Sequence, residues 1–475
     1  MTAQPVPRPR LFVATLAFGG VVVALMQTLV VPLLPLLPGL TGASRSDVSW
    51  LVTATLLTGA VCTPLLGRAG DMYGKRRMLL LNLGFMVTGS ALCAVSSQLP
   101  VLIAGRALQG TAIAFVPLGI SIMRDELPPE RVVSAIAVMS STIGVGAAFG
   151  MPFSALVVRY ADWHTMFWVC VALGVAEALL VLLLVPESPV RTSGRFDIAG
   201  ALGLTAILVC GLLAVSKGGT WGWTGPLTLG LFAAAAALAP VWGLHQLRAR
   251  RPLVDLRVSA RPPVLFTNLA ALLVGFAYYA NSLATAQLVQ EPTSTGYGLG
   301  ESVVVSGLCL LPAGVTMVLL SPVSARLSAA RGPRWTLAVA CTLLAFGYVV
   351  RLFTSENLAT IIAGATVVAA GTAVAYSALP ALIVHAVPVT ETAAANGLNV
   401  LMRSIGQSGC SAVVGAVLAG VTATHAGHTA PTLNAYLLVF VLAGAAALAA
   451  LVCTLLIPGR ARAGKAKPAF AEAAA

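Results

Sequence analysis

Apolar residues in this chain come in blocks of about twenty, the length an α-helix needs to cross ~30 Å of hydrocarbon. Short clusters of Pro, Gly, Arg and Asp separate the blocks. Blocks of that length satisfy their backbone polar groups in lipid only as helices. A β-barrel would alternate instead over segments of about 10 residues. The punctuation predicts spans at 11–31, 48–66, 79–97, 100–123, 132–158, 164–186, 197–216, 224–244, 263–290, 302–324, 335–353, 358–384, 393–421 and 433–457. The expected fold class is an all-α integral membrane protein of 14 transmembrane helices. They divide into an N-terminal six-helix bundle (1–187), two inserted helices with a cytoplasmic linker (188–262), a C-terminal six-helix bundle (263–458) and a disordered cytoplasmic tail (459–475). The first block, from Leu11 to Val31, exceeds the ~7–15 residues of a cleaved signal core and is expected to stay as the first span.

Charge placement adds orientation. An even number of spans puts both termini on one side, and Lys and Arg decide which side that is. With the termini cytoplasmic, 22 of the 28 basic residues fall on inside segments. Only Arg45, Arg159, Lys217 and Arg351 fall outside, while Arg106 and Arg403 lie within spans.

Composition excludes several classes. With 58% hydrophobic and 9% charged residues, against roughly 25% charged in soluble domains, the chain cannot clothe a solvated surface. The net charge of +13 would suit nucleic acid, but no basic stripe with interleaved aromatics is present. All eight cysteines lie inside apolar blocks, none in a Cys-x-x-Cys pair, so they are expected as packing residues. His425 and His428 form one close pair in a short polar loop, too few ligands for a metal. No phosphate-binding loop and no clustered Ser/His/Asp set occurs. Neither metal nor cofactor nor enzymatic activity is expected.

The chain also repeats itself. TPLLGRAGDMYGKRRML from Thr63 aligns without gaps to SPVSARLSAARGPRWTL from Ser321 at Pro64/Pro322, Arg68/Arg326, Gly74/Gly332, Arg76/Arg334 and Leu79/Leu337. A weaker echo pairs Thr142 to Gly144 with Ser404 to Gly406, each on a fifth span. Paired halves of this kind place a substrate site between them.

Four stretches carry chemistry. GRAGDMYGKRRML from Gly67 combines glycines that allow close helix ends with an acid among bases. Asp71 can pair with a cation or cap a helix N-terminus. Lys75, Arg76 and Arg77 hold the loop at the cytoplasmic face, with Arg124, Asp125 and Glu126 as partners after the fourth span. The cluster is either a gate or a topology anchor; the acid favours a gate. The stretch resembles the loop signature G-x-L-A-D-x-x-G-R-K of the major facilitator superfamily, with Gly67, Asp71, Gly74, Lys75 and Arg76 in its positions and Ala69 and Met72 departing from it.

LIAGRALQGTA from Leu102 is similar to that family's L-x-x-x-R-x-x-Q-G motif, through Arg106, Gln109 and Gly110. The resemblance implies proton coupling for Arg106; the alternative is a buried arginine satisfied by backbone carbonyls. Gly146, Gly150 and Pro152 resemble an antiporter motif, G-x-x-x-G-P-x-x-G-G, with the proline one place late. LMQTLVVPLLP from Leu25 is similar to the L-D-x-T-x-V-x-x-A-L-P stretch of the fourteen-helix drug:proton antiporters, with Met26 in the aspartate position.

Glu177 is the only acid within an apolar block. It either carries protons or sits neutral, bonded to a neighbouring helix. Gln27, Asn281 and Gln287, with Tyr278, Tyr279 and Arg403, either line a substrate cavity or pack between helices. Arg106 and Arg403 make the intramembrane charge cationic, which suits neutral or anionic amphiphiles. The resemblance reaches to about Pro458. It implies a monomeric proton-driven exporter of drugs or antibiotics in a bacterial inner membrane, with lipid, protons and a small molecule as partners. An exporter of one self-made metabolite and an uptake symporter remain alternatives.

Overall fold

The computed structural model describes residues 8–458 except 31–32, 34–36, 44, 49, 193–194, 251, 354–356 and 426–427, so the expected tail at 459–475 lies outside the described residues. Long helices dominate. In chain order they are α1 (Pro9–Leu29), α2 (Trp50–Tyr73), α3 (Lys75–Val95), α4 (Leu99–Glu126), α5 (Pro129–Tyr160), α6 (His164–Leu184), α7 (Ile198–Trp221) and α8 (Pro226–Arg248). They continue with α9 (Pro262–Gln290), α10 (Val304–Arg331), α11 (Pro333–Arg351), α12 (Leu358–Ala386), α13 (Thr392–Gly420) and α14 (Leu433–Leu456).

Among the described residues, 12 helices are long and apolar enough to cross a membrane, fewer than the 14 expected. The two outside that set, α5 and α13, form nonetheless, as helices of 32 and 29 residues. In α13 the polar positions Asn396, Asn399, Arg403, Ser404, Gln407 and Ser408 dilute its hydropathy.

Sequence chemistry explains most of the boundaries. Proline opens α5, α8, α9 and α11, where its missing N–H costs nothing. Asp197 caps α7 through the Gly200 N–H at 2.8 Å, and Asn357 forms a capping box with Thr360 at the start of α12. A 3₁₀ turn at Thr111–Ala114 bends α4 just after Arg106, Gln109 and Gly110.

Two boundaries differ from expectation. The GRAGDMY stretch is not a loop: α2 stays helical through Tyr73, and Gly74 alone separates it from α3. Gly74 holds φ at +115°, a conformation a Cβ disfavours, and its repeat mate Gly332 holds +87° between α10 and α11. Pro64 and Pro322 both lie inside helices. The gapless repeat is therefore a repeat of structure, helix to one-residue hinge to helix. The loop holding His425 and His428 is a β-hairpin, β1 (Thr422–His425) antiparallel to β2 (His428–Pro431); these histidine side chains lie outside the described residues.

Buried apolar residues form one large core drawn mainly from α1 to α6, including Leu16, Leu83, Phe115 and Met139, which Ala381 and Val384 of α12 and Ala393 of α13 also enter. A second core draws on α9 to α14, including Leu288, Leu344, Tyr376 and Phe440. A smaller cluster joins them along one side, where Ala60 and Val61 of α2 meet Leu204 and Leu208 of α7 and Leu401 of α13. The first inserted helix thus covers the seam between the halves. The second, α8, is mostly exposed and packs on α7.

Small residues bring the helices together. A Cβ on Gly406 of α13 would reach 1.9 Å from the Leu272 carbonyl oxygen of α9, and one on Gly371 of α12 would reach 2.6 Å from the Leu344 nitrogen of α11. The weaker echo does not share packing, since Gly144 meets Met317 and the Gly314 carbonyl of α10 in the other half.

Candidate functional site

The helix ends near Asp71 form a polar seal between the two halves. Asp71 is fully buried at the end of α2. Its carboxylate accepts the N–H groups of Ala393 and Ala394 at 3.3 and 2.9 Å, capping the N-terminus of α13. Close approach makes this possible, because Gly67 abuts the Ala393 carbonyl and Gly397 abuts the Thr63 carbonyl. Arg124, at the end of α4, donates to Thr392 Oγ1 at 2.5 Å and to the Val387 carbonyl at 3.0 Å. Thr192 completes the link, donating its N–H to the Asp71 carbonyl at 2.6 Å and its hydroxyl to the Thr390 carbonyl at 2.7 Å.

Lys75 pairs with Asp125, one of the partners named from sequence, and does so out of solvent. It is 0% exposed, 2.5 Å from Asp125 Oδ2 and 3.6 Å from Asp71 Oδ1. A lysine flanked by two carboxylates remains buried because its charge is matched. Ser188 also donates to Asp125, and Glu187 accepts the Arg76 N–H at 3.3 Å. Arg76 itself donates to the Leu182 carbonyl, and Arg77 is exposed.

Beside the seal lies a cleft of about 50 Å³ lined by Arg68, Asp255, Ser259, Glu391 and Leu398. Burial pushes the Glu391 carboxyl above the ordinary glutamate range; Asp255 adds to the rise, and Arg68 and Arg261 oppose it. The linker that follows α8 therefore supplies one wall of a cleft between the halves.

Deeper in, Arg106 is 2% exposed. It donates to Gln109 Oε1 at 2.7 Å, to the Met26 carbonyl at 3.3 Å and to the Leu51 carbonyl at 3.4 Å. Gln109 passes the network to Ser90 at 2.8 Å. The alternative raised from sequence, satisfaction by backbone carbonyls, describes this geometry. Met26, at the position where the resemblance wants an acid, is the residue whose carbonyl Arg106 holds. Gly110 lets α4 close on α2, 2.4 Å separating its Cβ position from the Thr55 carbonyl.

Glu177 is 0% exposed, and neither carboxyl oxygen has a hydrogen-bond partner among the described residues. The expected bond to a neighbouring helix is absent there. An unpaired buried polar group costs about 1–3 kcal/mol. The antiporter-like glycines pack α5 on α1: Gly146 abuts Ala24, Gly150 abuts Thr28, and Thr28 donates to the Gly146 carbonyl at 3.1 Å. The Pro152 side chain lies outside the described residues.

In the second half, Arg403 stacks over Tyr376 at 4.4 Å, and Tyr376 lies 5.5 Å from Tyr278. Gln407 reaches the Tyr376 hydroxyl at 3.5 Å. Asn281 is instead a packing residue, donating to the Ala365 carbonyl of α12 at 3.2 Å. Gln287 is exposed, and Gln27 and Tyr279 are half-buried.

Sequence reasoning missed several residues. Arg351, expected in an outer loop, is fully buried at the end of α11, donating to the Ile361 carbonyl at 2.9 Å and stacked 4.4 Å over Phe440. Lys217, also expected outside, is buried in α7 over the Trp50 ring at 4.3 Å. Both sit at helix ends, where a basic residue reads as punctuation. The signal that distinguishes them is an aromatic residue one turn away, Tyr348 and Trp221. Tyr376 had no such signal, being one aromatic in a run of small residues.

The family model described as Major Facilitator Superfamily matches residues 16–408 and 267–474. The chain belongs to the Major Facilitator Superfamily. It is a multi-pass membrane protein of a transporter family. Over 341 residues it is 29% identical to the tetracenomycin C resistance and export protein of Streptomyces glaucescens, covering 71% of this chain and 62% of that protein. It is 25% identical over 378 residues to the multidrug resistance protein Stp of Mycobacterium tuberculosis, covering 79% and 69% respectively. It is 27% identical over 402 residues to the probable actinorhodin transporter of Streptomyces coelicolor, covering 81% and 68%. The fold matches that of the human organic anion transporter MFSD10 (TETRAN) with a TM-score of 0.69 at 18% identity, covering 94% of this chain and all (100%) of that one.

Proposed function

We propose that this Major Facilitator Superfamily transporter exports amphiphilic small molecules in exchange for protons, by alternating access. It crosses a bacterial inner membrane fourteen times, α5 and α13 included, with both termini and the Asp71 end cytoplasmic. The two largest apolar cores, drawn mainly from α1 to α6 and from α9 to α14, support a division into bundles at 1–187 and 263–458, with 188–262 inserted.

One observation carries the reading. The contacts joining the halves at the Asp71 end combine the packing of Ala381, Val384 and Ala393 on the first half with hydrogen bonds from the single side chains of Asp71, Arg124 and Thr192 to backbone groups and a hydroxyl across the seam. Such hydrogen bonds, joined by the contact of a few small side chains, can break and re-form in each cycle. Relatives that bear the names of exporters support the direction of transport. Each proton entering down 100 mV supplies ~2.3 kcal/mol for the work.

The names of two Streptomyces relatives favour a second reading, export of one self-made metabolite. Arg106 and Arg403 favour neutral or anionic cargo in either case. Inverted vesicles loaded with a proton gradient test the proposal. Adding ethidium or an acidic aromatic dye should release protons, and faster for the acidic dye. Silence toward a broad panel of amphiphiles would refute export by proton exchange.

A further inference from the structure

Glu177 lies midway along α6, with its carboxyl in a notch that only a glycine leaves open. A Cβ placed on Gly19 of α1 would fall 2.4 Å from Glu177 Oε1 and 2.2 Å from the Phe115 ring of α4. Neither oxygen has a partner among the described residues. The side chains facing this part of α6 are apolar: Phe115 from α4, and Met86 and Val87 of α3 beside Gly174 one turn away. Among the described residues the carboxyl makes no hydrogen bond and no ion pair. Arg106, the cation within the fourth span, is already bonded to Met26, Leu51 and Gln109. The acid is therefore held with no donor or cation to stabilise a negative charge, and it stays only while it carries its own proton.

We propose that Glu177 is the proton-binding group of the transport cycle and that α1 is the element its protonation moves. This rests on the proton-exchange reading above and names the group that reading lacks, since Met26 occupies the position of the resembled acid. Deprotonation breaks the carboxyl O–H bond and passes the proton to water. The carboxylate left behind needs donors that Gly19 and Phe115 cannot supply, so α1 must shift to admit water. Uptake reverses this: a hydronium ion gives its proton to the carboxylate, water leaves, and α1 closes on the neutral acid. α1 transmits the change. Its Thr28 donates to the Gly146 carbonyl of α5, its Met26 carbonyl is held by Arg106, and α5 meets the other half where Gly144 abuts Met317.

The test uses the full chain in proteoliposomes with ethidium as the probe. Gradient-driven ethidium uptake is compared with ethidium–ethidium exchange, which needs no net proton movement. For Glu177→Gln the ratio of driven uptake to exchange should fall at least tenfold. Glu177→Asp should restore driven uptake with a displaced pH profile. Infrared difference spectra between acid and alkaline buffer should contain a buried carboxylic-acid carbonyl band that Glu177→Gln removes. Driven uptake at the wild-type ratio in Glu177→Gln overturns the proposal. So does loss of uptake and exchange together with the infrared band unchanged, which marks a structural role. Wild-type protein that exchanges ethidium but ignores the gradient overturns proton exchange itself, a result distinct from either.

Discussion

The Asp71 carboxylate of α2 and the Ala394 N–H of α13 are joined by a hydrogen bond of 2.9 Å between segments more than three hundred residues apart. The acid faces the positive end of a helix dipole and the Lys75 ammonium at once. Asp71→Asn keeps an acceptor and loses the charge. Asp71→Ala loses both and should weaken the closed arrangement by about 0.5–2 kcal/mol, the usual worth of a cap. Alkylation of a cysteine placed at Ala394 should therefore quicken from wild type to Asp71→Asn to Asp71→Ala. Equal rates in all three would mean that the cap does not hold the seal.

The seal also depends on missing side chains. A Cβ on Gly67 would stand 2.7 Å from the Ala393 carbonyl oxygen, and one on Gly397 would stand 3.0 Å from the Thr63 carbonyl oxygen. Both obstacles are backbone, which cannot swing aside. Overpacking of this kind costs about 1–3 kcal/mol. Gly67→Ala should abolish transport and expose Ala394 to alkylation, with Gly397→Ala milder. The reverse order would contradict the geometry.

Glu391 gives the seal a pH dependence. Burial raises its carboxyl above the ordinary glutamate range when the halves are closed; once they part, water returns it to that range. A proton therefore binds the closed arrangement more tightly. The stabilisation is complete below the ordinary glutamate value and is lost as pH rises through the elevated one. Measured relative to a freely exposed cysteine, whose thiolate fraction sets the intrinsic fall in rate, alkylation at Ala394 should slow further in acid, and Glu391→Gln should remove that extra slowing.

Much of this arrangement was legible in the sequence, and the remainder has physical reasons. Hydrocarbon-length blocks located the helices because lipid permits little else. Asp71 was identifiable as a cap or ion-pair residue from one acid among bases, and it does both. The helicity of 67–73 was hidden because glycines and charges read as a loop, whereas contacts with α13 hold them in a helix. Asp125 was legible as a partner of the basic cluster, but that Lys75 takes it, in full burial, depends on the packing of α3 against the end of α4 fifty residues away. Arg403 was visible as an intramembrane cation, but its stacking on Tyr376 follows from tertiary packing alone.

The inserted hairpin has its own clamp. Asp197 accepts from the Gly200 N–H and from Gln246, at 2.8 and 3.0 Å, and lies 3.0 Å from His245 Nε2. Burial raises its carboxyl, but these hydrogen bonds outweigh that and leave it below the usual carboxylate range. Gln246 in turn accepts the Val254 N–H at 3.2 Å, fixing the linker that walls the cleft. Asp197→Ala should cost about 1 kcal/mol or more in stability and quicken proteolysis within 248–261. Unchanged proteolysis would show that the clamp does not restrain the linker.

The central claim is that two halves rock about a shared cavity, one face closing as the other opens. Paired distance measurements by electron resonance test it most directly, with spin labels on a background in which the eight native cysteines are replaced. One pair sits at Arg77 and Arg331, exposed at the Asp71 end. The other sits at Val95 and Phe353, 67% and 78% exposed at the opposite end. As pH and ethidium are varied, the first distance should lengthen whenever the second shortens. Two distances that move together, or that never move, would contradict it.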